Sequence, residues 1–138
     1  MLLTYLLWGH IAGDYLTQTK KMALSKTDNS LWCFLHSAIY TICIYVFLAG
    51  IPTILKLPVI NLSYLFYIFV FLSHYIIDKN SLAQKWLNLI RGRNLFEDFN
   101  STDKYREIAL IFDAIVYVVV DNGLHLMLMW YVGKLMEI

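Results

Sequence analysis

Histidine and aspartate recur together inside the apolar stretches of this sequence. The chain has four histidines, and three of them have an aspartate four residues away. The pairs are His10 with Asp14, His74 with Asp78, and Asp121 with His125. Four residues is about one helical turn, so each pair projects from one face of its helix. The remaining histidine, His36, also lies in an apolar stretch but has no aspartate at helical spacing.

Imidazole and carboxylate groups in this pattern are typical ligands of a divalent metal. Neutral imidazole nitrogen and carboxylate oxygen bind zinc, and they also bind non-haem iron and manganese. We predict metal ligands at seven positions, namely His10, Asp14, His36, His74, Asp78, Asp121 and His125. Seven ligands exceed one tetrahedral site. The pattern therefore fits either two ions about 3.5–4 Å apart, or one ion whose histidines are oriented by outer aspartates. Zinc is the preferred ion, with manganese and iron as alternatives.

The composition indicates that lipid is the solvent around these groups. Of 138 residues, 59% are apolar and 15% are charged, whereas a soluble domain carries about 25% charged residues and about 45–50% apolar ones. The net charge of +1 excludes a strongly basic nucleic-acid binder. Two cysteines, Cys33 and Cys43, are too few for a disulfide framework.

Four apolar stretches must position the histidines and aspartates, and each is near the roughly 20 residues that cross a bilayer as a helix. We predict an all-α membrane protein whose single integral domain, residues 1–138, is a bundle of four transmembrane helices. The helices are expected at residues 2–18, 31–49, 59–83 and 103–136. Residues 82–93 combine apolar side chains at helical spacing with cations, which is typical of a short amphipathic helix on the membrane surface. A cytoplasmic extension of the third helix, anchored by its cations, is the alternative.

The distribution of lysine and arginine predicts the orientation of these helices. Short loops rich in these residues stay in the cytoplasm. Nine of the 11 cations follow the first or third stretch, and only Lys56 and Lys134 fall on the other side. Both termini are thus expected outside the cytoplasm, in a multi-pass protein of the bacterial inner membrane. Counted from the cytoplasmic ends, all seven predicted ligands fall in the cytoplasmic half of the bundle. They must face inward, because an ionisable group in lipid costs at least about 2.5–3.5 kcal/mol.

Simpler interpretations exist for each pair. A single His/Asp pair in a bundle is more often a polar clasp between helices than a metal site. His36 alone fits a histidine that donates to a backbone carbonyl. Haem ligation by facing histidines is a further alternative, although haem does not need aspartates one turn away. The pattern nevertheless uses every histidine in the chain. It therefore favours a metal or substrate site over the simpler interpretations, because ionisable groups inside membranes are functional by default.

The spacing of these polar residues resembles that of a family of small bacterial membrane proteins, the domain of unknown function 3307 family. The likeness covers nearly the whole chain and rests on four features: His10-x3-Asp14-x3-Gln18, His36 at the start of the second helix, His74-x3-Asp78-Lys79, and Asp121-x3-His125. One departure is Asn122, where glutamine is expected after the aspartate. The family name implies no established activity, but a looser similarity to membrane-bound metal-dependent hydrolases suggests a reaction class.

We therefore expect a metal-dependent hydrolase that acts on a phosphate or acyl ester of a lipid or lipid-linked substrate. The metal polarises the ester and lowers the pKa of bound water, and an aspartate that is not a ligand, Asp14 or Asp78, accepts the proton. Gln18 and Lys79 are candidate substrate-binding residues. The alternative is a small transporter or channel that moves a metal ion or protons through the same groups. Membrane lipid is the expected partner, nucleic acid is not, and a homo-oligomer is compatible with the sequence.

Overall fold

The computed structural model describes residues 1–91 and 106–136, and most of these residues are helical, with no β-strand among them. The predicted all-α class is confirmed over these ranges. The described residues belong to two compact units, one comprising Met1–Asn80 and His125–Ile138 and the other comprising Ser81–Leu124.

The first unit begins with helix α1, Leu2–Ile11, which continues as a π-helical turn at Ala12–Leu16. A short helix that the sequence analysis did not predict, α2, follows at Lys20–Ser25. It forms because the Thr19 hydroxyl accepts a hydrogen bond from the Met22 amide at 3.2 Å and caps the helix.

Helix α3, Ser30–Tyr45, is capped by Asn29, whose side chain accepts from the Leu31 and Trp32 amides. It continues through a second π-helical turn, Val46–Gly50, into helix α4, Ile51–Ile54. Pro52 is tolerated there because it occupies the first turn of that helix.

Helix α5, Tyr64–Lys79, is shorter than the predicted 59–83 at both ends. It begins late because the Ser63 hydroxyl accepts from the Leu65 amide and caps it. It ends early because the chain turns at Ser81, whose φ of 49° lies in the left-handed region that a helix cannot use.

The core of the first unit contains Leu6, Ile44, Leu48, Phe66 and Val70, all fully buried. Helix α1 lies very close to α3, since a Cβ at Gly9 would lie 3.0 Å from the Ile44 Cα and one at Gly13 would lie 3.2 Å from the Tyr40 Cα. Small residues allow such a close approach between helices.

In the second unit, helix α6 spans Leu82–Arg91. Ala83 and Leu87 are buried, whereas Trp86, Leu89 and Ile90 are exposed. The predicted amphipathic segment is thus helical up to residue 91, and residues 92 and 93 lie outside the described ranges. Helix α7, Arg106–Met136, contributes residues to both units. Residues 103–105, which the sequence analysis assigned to this helix, are likewise outside the described part of the chain.

Within residues 1–91 and 106–136, two helical segments are long and apolar enough to cross a membrane. Ser30–Ile54 has 25 residues and a mean hydropathy of 1.9, and Leu110–Met136 has 27 residues and a mean hydropathy of 1.6. By composition and length these segments support membrane association. Helix α1 has only 10 residues before its π-helical turn, and α5 has 16.

Candidate metal centre

Four separate segments of the first unit bring six of the seven predicted ligands together. His10 and Asp14 come from α1 and its π-helical turn, His36 from α3, His74 and Asp78 from α5, and His125 from α7. The seventh, Asp121, lies one helical turn before His125 but within the second unit. Its role as a ligand stays a prediction.

Four atoms converge at the centre of this cluster: the Nε2 atoms of His36 and His74, Asp14 Oδ1 and Asp78 Oδ2. The two nitrogens are 3.0 Å apart. Asp14 Oδ1 lies 3.1 Å from His36 Nε2 and 3.6 Å from His74 Nε2. Asp78 Oδ2 lies 3.4 Å from each nitrogen. Zinc bound tetrahedrally at about 2.0–2.1 Å requires its ligand atoms to be roughly 3.3–3.4 Å apart. The potential ligand atoms form two groups of three, Asp14 with His36 and His74, and His74 with Asp78 and His125, and within each group they lie within 4.8 Å of one another.

The second oxygen of each aspartate faces another histidine. Asp14 Oδ2 is 3.3 Å from His10 Nδ1, and Asp78 Oδ1 is 3.5 Å from His125 Nε2. Each carboxylate thus lies between the central four-atom set and an outer histidine. This arrangement suits a single ion whose carboxylates are held by outer imidazoles. It equally suits two ions bridged by the carboxylates.

Burial raises the cost of leaving these groups without a cation. All four histidines and Asp78 are buried, while 12% of the Asp14 side chain is exposed. Among the described residues, the buried Asp14 Oδ1 has no well-directed hydrogen bond, and neither do the Nδ1 atoms of His36 and His74. Two Nε2 atoms at 3.0 Å cannot both present lone pairs to each other without a proton or a cation between them. The donor set therefore fits a divalent metal.

The π-helical turn places Asp14 within this set. The turn is closed by the Thr17 amide, which donates to the Ala12 carbonyl at 3.0 Å. Gly13 has no side chain where the turn meets the Tyr40 ring, since a Cβ there would lie 2.6 Å from Tyr40 Cδ2. Single π-helical turns occur frequently at functional sites.

Tyr40 is a central residue of the site that the sequence analysis missed. Its ring is stacked on the His74 imidazole, with centroids 3.7 Å apart. Its hydroxyl lies 2.8 Å from His10 Nδ1 and 3.5 Å from the Met129 sulfur. The side chain is fully buried. Its position one helical turn after His36, on the same face of α3, is the sequence feature that could have identified it.

Three further polar residues surround the cluster. Gln18 Nε2 lies 3.2 Å from His36 Nε2. Lys79 Nζ donates to the Thr27 carbonyl at 2.7 Å. Lys26 Nζ lies 2.9 Å from Asp78 Oδ2, one of the four central atoms. The sequence analysis did not predict this contact of Lys26 with the site. The substrate-binding roles of Gln18 and Lys79 stay predictions.

Comparison with known proteins identifies a family and no activity. A family model described as "Protein of unknown function (DUF3307)" matches residues 2–137. The predicted resemblance to this family is confirmed. No curated protein and no solved structure matches the chain.

Proposed function

The chain belongs to the DUF3307 family of proteins of unknown function, and we propose that it is a membrane-embedded, metal-dependent hydrolase. Its substrate is a phosphate or acyl ester of a lipid or lipid-linked molecule. The observation that carries the proposal is the convergence of imidazole nitrogens and carboxylate oxygens in two groups that share His74, namely Asp14, His36 and His74, and His74, Asp78 and His125.

Charge balance supports a resident divalent cation. Asp14 and Asp78 each lie within 3.6 Å of two imidazole nitrogens in the interior of the unit. A buried carboxylate must take up a proton or be paired with a cation. Lys26 Nζ, 2.9 Å from Asp78 Oδ2, balances one of the two charges, and a divalent ion would balance Asp14 and accept lone pairs from the imidazoles. Two imidazoles and two carboxylates suit zinc, with manganese and iron as alternatives.

The two aspartates differ in solvent exposure, and this difference supports Asp14 as the base. A catalytic zinc keeps three protein ligands and leaves the fourth position to water or substrate. Asp14 is the more accessible carboxylate, with 12% of its side chain exposed against 1% for Asp78. We therefore assign Asp78 as a permanent ligand. His36, His74 and Asp78 would hold the ion, and Asp14 would accept the proton of an attacking water.

The metal supplies Lewis-acid activation of the ester and a bound water of lowered pKa. Around it, His10 Nδ1 holds the outer oxygen of Asp14, and the hydroxyl of Tyr40 lies 2.8 Å from the same nitrogen. These contacts orient the proposed base. Gln18, 3.2 Å from His36 Nε2, lies where it can contact a bound substrate.

We propose that the cluster of histidines and aspartates lies within a lipid bilayer. Two segments long enough to cross a membrane support it, as does the uneven distribution of cations. We propose four spans in the bacterial inner membrane, both termini outside, and a site that opens toward the cytoplasm. Helix α6, with Trp86, Leu89 and Ile90 exposed, would lie on the membrane surface.

Orientation is checked with topology reporters. A reporter fused after Ile138 is expected to be extracytoplasmic, and one inserted after Arg93 is expected to be cytoplasmic. A cytoplasmic reporter at Ile138 would contradict the orientation and the direction in which the site opens.

The hydrolase proposal is tested with metal analysis and the substitution Asp14→Asn. Purified protein should retain about one to two equivalents of a divalent transition metal. Asp14→Asn is nearly isosteric, so it should keep the fold and most of the metal while lowering the hydrolytic rate roughly 10²–10⁴-fold. The matched control is Asp28→Asn, at an exposed position in the loop after α2, which should change neither quantity.

Two outcomes would overturn the hydrolase. The first is wild-type protein that binds no divalent metal and has the same activity without it. The second is wild-type protein in liposomes that moves metal or protons down a gradient, is blocked by Asp14→Asn, and hydrolyses no lipid or phosphoester. The buried carboxylates would then form a conduction path, as in the transporter alternative.

A further inference from the structure

Residues 19–29, which comprise α2 with its cap and the loop after it, contact the end of α5 that carries Asp78. Lys26 Nζ lies 2.9 Å from Asp78 Oδ2, and 17% of the Lys26 side chain is exposed against 1% for Asp78. Lys26 therefore lies on the solvent side of this carboxylate. The next residue of the loop is tied to the same helix, because Lys79 Nζ donates to the Thr27 carbonyl at 2.7 Å. Two adjacent loop residues are thus fastened to the last two residues of α5.

The rest of this segment has little apolar packing to hold it in place. Among residues 19–29, all of which the structure describes, Met22 alone is buried, at 4% exposure. Leu24 is 70% exposed, and Lys21 Nζ lies 4.7 Å from the centre of the Trp32 ring at the start of α3. Segments with so few buried apolar contacts open locally at a low free energy, while the core stays folded. Residues 19–29 should therefore open without the unfolding of α1, α3 or α5.

We propose that residues 19–29 form a lid over the metal centre, that Lys26 and Lys79 fasten it, and that it opens to let metal and substrate pass. This inference rests on the proposed function for what passes beneath the lid. When the lid is closed, Lys26 separates the Asp78 carboxylate from solvent. Closure of such segments over a site excludes water, and their opening admits substrate and releases product.

A native cysteine can report the opening of this lid. Cys33 is fully buried. Its amide donates to the carbonyl of Asn29, the last lid residue, at 3.2 Å. Its sulfur lies 3.7 Å from the carbonyl of Tyr75, one helical turn before Lys79. Cys33 is thus beside the junction between the lid and α5, and a thiol reagent should reach it only after the lid has opened.

The test measures the rate at which N-ethylmaleimide labels Cys33 in detergent-purified protein that carries Cys43→Ser and has no other thiol. When opening and closing are fast relative to labelling, this rate is proportional to the open fraction. Lys79→Met removes the hydrogen bond to Thr27 and should raise the rate roughly three- to tenfold. Met22→Ala removes the buried side chain of the lid and should raise it roughly tenfold or more.

Three control variants separate opening of the lid from other effects. Lys20→Met and Leu24→Ala change exposed residues of the same short helix, so both should be labelled at the rate of the parent protein. Leu6→Ala weakens the apolar core, which local opening leaves intact, and it should also leave the labelling rate unchanged. If Leu6→Ala accelerates labelling as much as Met22→Ala does, Cys33 is reached by unfolding of the whole unit and the lid is overturned.

A second measurement follows the release of zinc from loaded protein to an excess of chelator. Lys26 and Asp78 are both retained in Met22→Ala, so its rate of zinc release should rise by about the same factor as its rate of labelling. Faster labelling with unchanged zinc release would overturn the role of the lid as the entrance to the site.

Failure of the lid is separate from failure of the hydrolase proposal. Labelling that neither Lys79→Met nor Met22→Ala accelerates would overturn the lid and leave the metal centre untouched. Wild-type protein that binds no zinc would overturn the metal centre, whereas the labelling rates would still decide whether the lid opens. The two variants remove different contacts, so each tests the lid if the other does not fold.

Discussion

The first compact unit has an apolar region and a polar region built from the same helices, α1, α3 and α5. In the apolar region, Leu6, Ile44 and Val70 are fully buried against one another. In the polar region, one or two turns away on each helix, His36, His74 and Asp78 are buried to a similar extent. Equal burial therefore has opposite consequences. The apolar region is stabilised by packing alone, whereas the polar region needs hydrogen bonds and opposite charges around its carboxylates.

The two π-helical turns show the same contrast. Ala12–Leu16 carries Asp14 into the site, and its Gly13 faces the ring of Tyr40. Val46–Gly50 carries only apolar residues and glycine, and a Cβ at its Gly50 would meet Val46 at an ordinary 3.8 Å. The same departure from α-helical geometry serves the site in one helix and not in the other. Substitutions in each region should therefore separate metal binding from stability.

The largest expected effect is on metal affinity, from His74→Ala. Loss of an outer contact alone typically weakens metal binding about 10–100-fold, so loss of a direct ligand should weaken it by more than that, roughly 100-fold or greater. Elemental analysis after dialysis against a weak chelator measures the change. His10→Ala is the comparison, because His10 Nδ1 lies 3.3 Å from the outer oxygen of Asp14 and belongs to neither group of potential metal ligands. Equal retention of metal by His74→Ala and wild type would remove His74 from the site.

In the apolar region, Leu6→Ala should lower stability and leave the metal in place. The cavity should lower the free energy of unfolding by roughly 1–3 kcal/mol. Less is lost than in a soluble protein, because in the unfolded chain the leucine side chain still contacts lipid or detergent. Denaturant unfolding in detergent measures the loss. Leu3→Ala is the matched control on the same helix, because Leu3 is 51% exposed. Loss of bound metal in Leu6→Ala would mean that the two regions are not independent.

A comparable loss of stability is expected from Gly13→Ala, and almost none from Gly50→Ala. The added Cβ at position 13 would lie 2.6 Å from Tyr40 Cδ2 and 3.2 Å from the Tyr40 Cα, so the backbone must shift. Such overpacking costs about 1–3 kcal/mol. Because the turn carries Asp14, Gly13→Ala should also weaken metal binding, unlike Leu6→Ala. Identical unfolding midpoints for the two glycine variants would contradict the close approach at Gly13.

The smallest effect is expected from Tyr40→Phe. Phenylalanine keeps the ring that stacks on His74 and removes the hydroxyl beside His10. Loss of one hydrogen bond should cost about 0.5–1.5 kcal/mol of stability, with little change in metal content. Tyr64→Phe, at a 72% exposed position, provides the baseline in the same unfolding assay. A loss of metal as large as that of His74→Ala would make Tyr40 part of the ligand set.

Much of the site was predictable from the sequence, for a definite reason. Apolar composition and helical spacing place His10 with Asp14 and His74 with Asp78 on single faces, because one helical turn is a local property of the chain. Because an ionisable group in lipid is costly, such faces must point inward. The all-α class and the convergence of six predicted ligands in the first unit agree with these two rules. The family resemblance rests on the same spacing.

Contacts between distant parts of the chain could not be predicted in this way. Three contacts depend on how the helices pack. Lys26 pairs with Asp78, Tyr40 stacks on His74, and each carboxylate lies between a central and an outer histidine. The caps at Asn29 and Ser63 and the π-helical turn at Ala12–Leu16 set the exact register of each helix. A shift of one residue rotates a side chain by about 100°. The sequence by itself therefore determined which residues form the site, and only the tertiary structure decided which atoms meet there.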